Sequence, residues 1–104
     1  MNLQFLLFEH SEGGDGTGLF EAMAAVRPAQ AAAVQAEIAA VLDWAQAQFG
    51  PAAPVEDGGD WHAELQRSEE PDGSGAPRQV FSLSLAGSAA FSAAFEQHFA
   101  DALA

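Results

Sequence analysis

Three side chains that could bind a metal ion alternate along a short segment in the second half of the chain. Asp60, His62 and Glu64 stand at positions i, i+2 and i+4, so in a strand they share one face. Carboxylate oxygens and imidazole nitrogens are common ligands of divalent metals. Positions i and i+4 of a strand are about 13 Å apart, so one ion needs a further ligand such as His10 or Glu9. The alternative is a solvent-exposed strand face, which shows the same alternation.

Other patterns that support catalysis are missing from the sequence. Residues 12–18, EGGDGTG, contain glycines that could approach an anion, but no lysine follows and two carboxylates would repel phosphate. The chain has no cysteine, which excludes disulfide scaffolds, thiol nucleophiles and cysteine-bound metals. None of the serines lies in a nucleophile elbow. We therefore assign no catalytic residue and no cofactor, and the sequence favours a non-enzymatic protein.

The charge of the chain limits its partners. Fifteen acidic residues face three arginines and no lysine, for a formal net charge of −12. Such a protein repels nucleic-acid backbones and anionic lipid. No apolar run reaches the roughly 20 residues of a membrane span, and no signal-peptide pattern is visible. The sequence predicts a cytoplasmic protein that binds neither nucleic acid nor membrane.

Length and hydrophobic periodicity predict one domain, residues 1–104, with its own core. The predicted elements are strands at Leu3–His10, Leu19–Arg27, Trp61–Gln66 and Val80–Leu85, a helix from Pro28 to Phe49, and a second helix capped by Ser88. A helix is the alternative for Leu19–Arg27, but it would place Pro28 in a helix interior, where proline is disfavoured. Glycine, proline and acidic residues predict mobile loops at 11–18 and 68–77 and a linker at 50–59.

The predicted order is ββαββα, an α+β fold with a four-stranded antiparallel sheet and two helices on one face. We expect strands one and four to be central and strand three to lie near an edge. Because the helices cover one sheet face only, Leu6, Phe8, Met23 and Val80 are expected on the other face. Monomeric proteins rarely expose such a patch, so these four residues are the predicted interaction surface.

Two stretches carry a resemblance to known proteins. LFEAMAAVRP at residues 19–28 and VLDWA at residues 41–45 resemble small uncharacterised bacterial proteins of about this length. The resemblance implies a bacterial cytoplasmic protein, and it implies no activity and no functional residues.

Three functional hypotheses follow from these observations. The first is a protein-binding or self-associating module, with a homodimer formed through the uncovered sheet face. The second is an acidic decoy or inhibitor that occupies the basic site of another protein. The third is a small metal-assisted enzyme that uses Asp60, His62, Glu64 or His10.

Overall fold

The structure, a computed structural model, describes residues 3–71 and 77–104. It has the predicted α+β fold, in which two helices pack on a four-stranded antiparallel sheet. The strands and helices are β1 (Glu9–Glu12), β2 (Gly18–Val26), α1 (Ala31–Phe49), β3 (Trp61–Pro71), β4 (Pro77–Gly87) and α2 (Ala89–His98). No helix among the described residues is long and apolar enough to cross a membrane.

The junction between β2 and α1 lies where proline predicts it. Residues of β2 alternate between buried and exposed along the whole strand, as the period of a strand requires. Pro28 begins a short 3₁₀ turn, Pro28–Gln30, that leads into α1. Proline suits this position because it donates no amide hydrogen and its φ is already helical. The buried face of α1 consists of Val34, Ile38, Val41 and Ala45.

The strand order is β1-β2-β4-β3. The central strands are therefore β2 and β4, and the prediction that strand one is central is wrong. β4 pairs with β2 on one side and with β3 on the other, which leaves β1 only the outer edge of β2. The prediction that strand three lies at an edge is confirmed.

The predicted strand Leu3–His10 begins too early. The amides of residues 4–6 donate to the carboxylate of Glu37 on α1 at 2.9–3.3 Å, and such charge-assisted bonds are strong. This segment is therefore held against α1 instead of pairing in the sheet. Regular strand pairing starts at Glu9. Between the two, Phe8 forms an isolated parallel bridge with Leu103 near the end of the chain.

β3 and β4 pair over eleven residues each. The predicted loop at 68–77 is therefore too long, because β3 continues to Pro71 and β4 starts at Pro77. Most side chains in this part of the hairpin are exposed, so hydrophobic periodicity carries no signal there although the backbones remain paired. The rest of that predicted loop, residues 72–76, lies outside the described residues.

The other two predicted connections are also partly structured. The loop at 11–18 is shorter than predicted, because Ser11 and Glu12 belong to β1 and Gly18 belongs to β2. The linker at 50–59 contains a 3₁₀ turn, Val55–Asp57, and a bridge between Ala53 and Trp61. The mobility of the loops stays a prediction.

A stripe of phenylalanines docks α2 onto the sheet. Ser88 caps the helix as predicted, its hydroxyl accepting the amide hydrogen of Phe91 at 3.2 Å. Phe91, Phe95 and Phe99 are completely buried. The Phe95 ring lies 4.2 Å from the ring of Phe20 and 5.1 Å from that of Phe8. These contacts place the last turns of α2 beside β1 and the start of β2.

Candidate functional site

Neither helix covers the second face of the sheet, which we call the open face. In β2, Phe20, Ala22 and Ala24 are buried on the helix side, so Leu19, Glu21 and Met23 point away from the helices. A groove on the open face is lined by Leu7, Glu9, Glu21 and Met23 together with the two β4 serines Ser82 and Ser84. We call it the open-face groove.

Two apolar side chains of the open-face groove are largely exposed. Met23 is 68% exposed and Leu7 is 56% exposed. Leu19 adds a third partly exposed apolar side chain to the same face at 37%. Exposed apolar side chains that share one face are typical of an interaction surface.

The same groove holds two carboxylates that face each other across a strand pair. Glu9 of β1 is the direct cross-strand partner of Glu21 of β2. Side chains in such a pair have Cβ atoms about 4.5–5.5 Å apart, and like charges in this position destabilise a sheet. Among residues 3–71 and 77–104, the ion pairs on β1 at 4.0 Å or less join His10 to Glu12 and Glu96, and no arginine pairs with Glu9 or Glu21.

Arg67 is one of three arginines in the chain. It belongs to the helix side of β3, since it pairs with Phe81 in the register, and its guanidinium lies 5.2 Å from the centre of the Phe81 ring. An arginine in this position makes a cation–π contact. The charge of Arg67 is thus directed away from the open face, whereas Arg78 of β4, the partner of Glu70, lies on the open-face side.

The predicted interaction surface of Leu6, Phe8, Met23 and Val80 needs correction. Leu6 and Phe8 are 2% and 0% exposed in the core, because the segment before β1 leaves the sheet and packs under the helices. Val80 lies on the open-face side of β4 but is only 7% exposed. Of the four, Met23 alone is an exposed side chain.

A second group of candidate functional side chains lies on the helix side of β1. His10 and Glu12 are two residues apart and share that face. His10 Nδ1 is 3.0 Å from Glu96 Oε1 of α2, and His10 Nε2 is 4.0 Å from Glu12 Oε1. The His10 ring stacks on Phe20 with centroids 4.5 Å apart and planes at 4°. We call His10, Glu12 and Glu96 the His10 cluster.

The His10 cluster is close enough to share an ion, because one ligand atom from each residue lies within 4.8 Å of the others. Among the described residues, it is the group of three histidine or acidic side chains that meets this condition. Its buried Nε2 atom has no hydrogen-bond partner. An imidazole nitrogen beside carboxylate oxygens is a combination of donors that suits a divalent transition metal.

The metal candidates on the other edge strand are placed apart from this group. Asp60 precedes β3 and accepts a hydrogen bond from the Ser88 hydroxyl at 3.2 Å. His62 and Glu64 lie on the open-face side of β3, opposite Ala86 and Ser84 of β4. The structure thus brings His10 into a cluster, whereas Asp60, His62 and Glu64 do not form one with it.

Four residues of the candidate sites were not expected from the sequence: Leu7, Glu12, Glu21 and Glu96. Glu12 carried a signal, since it stands two residues after His10 and shares its face if the strand continues. Glu96 follows Phe95, so its approach to β1 depends on how α2 docks. Leu7 becomes exposed because the chain turns before β1, which no local pattern indicates.

Comparisons of the whole chain with protein-family models, with curated proteins and with solved structures find no match, and none of them tests the resemblance to small bacterial proteins.

Proposed function

We propose that this chain is a non-enzymatic protein-binding domain whose open face binds a basic amphipathic segment of another protein. The observation that carries the proposal is the pairing of Glu9 with Glu21 beside the exposed side chains of Leu7 and Met23. An amphipathic helix with lysine or arginine next to leucine presents the complementary pattern.

The charge of the groove favours a basic partner. Two carboxylates opposite each other raise the free energy of the unbound protein. A cation placed between them on binding removes this repulsion and makes charge-assisted hydrogen bonds. The net charge of −12 also accelerates the approach of a basic partner.

A second copy of the chain fits the groove less well. It would bring a further pair of glutamates to the contact and the same net charge. The expected homodimer also depended on four apolar side chains, of which Leu6, Phe8 and Val80 are buried. A second copy that contacts Met23 is therefore the alternative occupant of the groove.

An acidic decoy would use the same surface in a different way. A decoy binds through charge alone, so its affinity falls steeply as salt is added. The proposed contact also buries Leu7 and Met23, so part of its affinity is retained at high salt. Salt dependence thus separates the two functions.

The test uses a fluorescent amphipathic helical peptide of leucine and lysine, with binding followed by anisotropy. Because any polycation is attracted to this protein, the comparison is between matched variants. Met23→Ser and Glu21→Gln alter the groove, whereas Leu65→Ser removes an apolar side chain that is 44% exposed on the other face of the sheet. Asp43→Asn removes an exposed charge from α1.

We expect each groove variant to weaken binding about tenfold, which corresponds to 1.4 kcal/mol. The two control variants should change the affinity by less than about twofold. Equal losses in Glu21→Gln and Asp43→Asn would show that the peptide binds the acidic surface diffusely. Unchanged binding in Met23→Ser would exclude the groove.

A further inference from the structure

The His10 cluster has the arrangement by which proteins prepare a histidine for a metal. Glu96 Oε1 lies within hydrogen-bonding distance of His10 Nδ1, which favours the proton on that nitrogen. The lone pair is then on Nε2, the nitrogen that points toward Glu12. Metal-binding histidines are commonly held in this way, with one ring nitrogen bonded to a carboxylate and the other to the ion.

We propose that the His10 cluster binds a divalent transition-metal ion of the zinc type. His10 Nε2 and the Glu12 carboxylate are the ligands, and Glu96 is the positioning residue that orients the ring. The site lies on the helix side of β1, so it is independent of the binding function proposed for the open face.

The distances suit such an ion after a small movement of one side chain. Zinc bonds to imidazole nitrogen and carboxylate oxygen are each about 2.0–2.2 Å long. The 4.0 Å between His10 Nε2 and Glu12 Oε1 therefore holds an ion in a nearly linear arrangement. The Glu12 side chain is 61% exposed and can rotate to the smaller angle of a tetrahedral site, whereas stacking on Phe20 fixes the His10 ring.

A buried polar atom beside the His10 cluster gives a further indication of a ligand. Ser92 Oγ is buried and has no hydrogen-bond partner, like His10 Nε2 within the cluster and His62 Nδ1 on β3. Ser92 is 3% exposed and lies one helical turn before Glu96, against Gly18, which is the strand partner of Glu12. Buried polar groups without partners cost free energy and are expected where an ion or ligand is bound.

The donor set selects the class of ion. Calcium and magnesium prefer sites built from oxygen ligands, and a buried imidazole nitrogen contributes little to them. Imidazole together with carboxylate suits zinc and its neighbours in the periodic table. With few protein ligands, the remaining positions of the ion are filled by water.

The test is titration of the full-length chain with Zn²⁺ by calorimetry in excess Mg²⁺, which occupies the general acidic surface. The site variants are His10→Gln, Glu12→Gln and Glu96→Gln. The matched controls are His62→Gln on β3 and Asp43→Asn on α1, which remove a histidine and a charge outside the cluster. Nitrogen NMR of the His10 ring reports which ring atom contacts the metal.

We expect one Zn²⁺ per chain and a shift of the His10 Nε2 resonance on binding. Glu96→Gln should weaken the affinity about tenfold, as loss of an orienting carboxylate typically does, and His10→Gln and Glu12→Gln should weaken it further. The control variants should retain the affinity of the original protein. Because Glu12 is largely exposed, its variant remains informative even if His10→Gln impairs folding.

Three results would overturn the proposal. They are the lack of one-to-one binding, an equal loss of affinity in the control variants, and a metal-induced shift at His62 in place of His10. The first would leave His10 as a structural residue between two carboxylates. The others would assign the bound zinc to the general acidic surface or to β3.

Discussion

Two carboxylates side by side on an exposed strand pair repel each other and lower the stability of the unbound protein. Glu9 and Glu21 are direct cross-strand partners. Replacing Glu21 with Gln should therefore raise the free energy of unfolding, by about 0.5 kcal/mol. Urea denaturation measures the change, which should be larger at low salt.

Glu64→Gln is the matched control for this prediction. Glu64 also lies on the open-face side, but its cross-strand partner is Ser84, so its replacement relieves no repulsion within a pair. An equal gain of stability in both variants would indicate a general effect of net charge. In that case, repulsion between Glu9 and Glu21 would not favour the binding of a basic partner.

The turn before β2 offers a test of local electrostatics. The Thr17 hydroxyl donates to Asp15 Oδ1 at 2.7 Å and the Thr17 amide donates at 3.1 Å. These hydrogen bonds, the hydroxyl first, lower the pKa of Asp15 below its ordinary value. The charged form is thus favoured in the folded state. The ionised Asp15 carboxylate therefore stabilises the folded protein at pH values above the pKa that Asp15 has in the unfolded chain. This stabilisation is lost as the pH falls through the lower pKa of Asp15 in the folded protein.

Replacing Thr17 with Val removes the hydroxyl and keeps the amide and the branched shape. The pKa of Asp15 should then rise toward its ordinary value. Protonation of Asp15 should accordingly weaken the turn at a higher pH than in the original protein. Carbonyl chemical shifts of Asp15 followed against pH measure this. An unchanged pKa would mean that the backbone amides of Thr17 and Asp15 hold the carboxylate without the hydroxyl.

Among the elements, the segment before β1 depends most on a single side chain. The amides of residues 4–6 all donate to Glu37. We expect Glu37→Ala to lower the free energy of unfolding by about 2 kcal/mol, because hydrogen bonds to a charged group are lost. The three amides should also exchange faster with solvent. Asp43→Ala, on an exposed site of the same helix, should change stability by less than about 0.5 kcal/mol.

Elements that bury one face were predictable from the sequence. β2 and α1 show clear periods of burial, and the Ser88 cap and the phenylalanine stripe marked α2. The outer end of the β3–β4 hairpin, residues 69–71 and 77–79, pairs without burying side chains, so hydrophobic periodicity did not predict it. The turn at residues 4–6 was also missed, because its partner Glu37 is more than thirty positions away in the chain.

The candidate sites follow the same rule. His10 was recognisable from its chemistry, and Met23 from its position in an alternating strand. Glu96 joins His10 only because α2 docks beside β1 through Phe95. A sequence pattern reports neighbours along one element, whereas these sites join residues from two or three elements.

The two helices cover one side of the sheet and leave the open face, with the exposed side chains of Leu7 and Met23 beside Glu9 and Glu21, uncovered. Because every copy has a net charge of −12, we expect the isolated chain to be monomeric at moderate salt. Sedimentation equilibrium checks this. A dimer that Met23→Ser dissociates would assign the open face to a second copy of the chain.

Amide chemical shifts of the labelled protein map the residues that contact the leucine and lysine peptide. We expect saturable changes confined to the open-face groove, at Leu7, Glu9, Glu21, Met23, Ser82 and Ser84, with a one-to-one endpoint. Changes spread over the exposed acids of both helices, without saturation, would contradict a defined binding face.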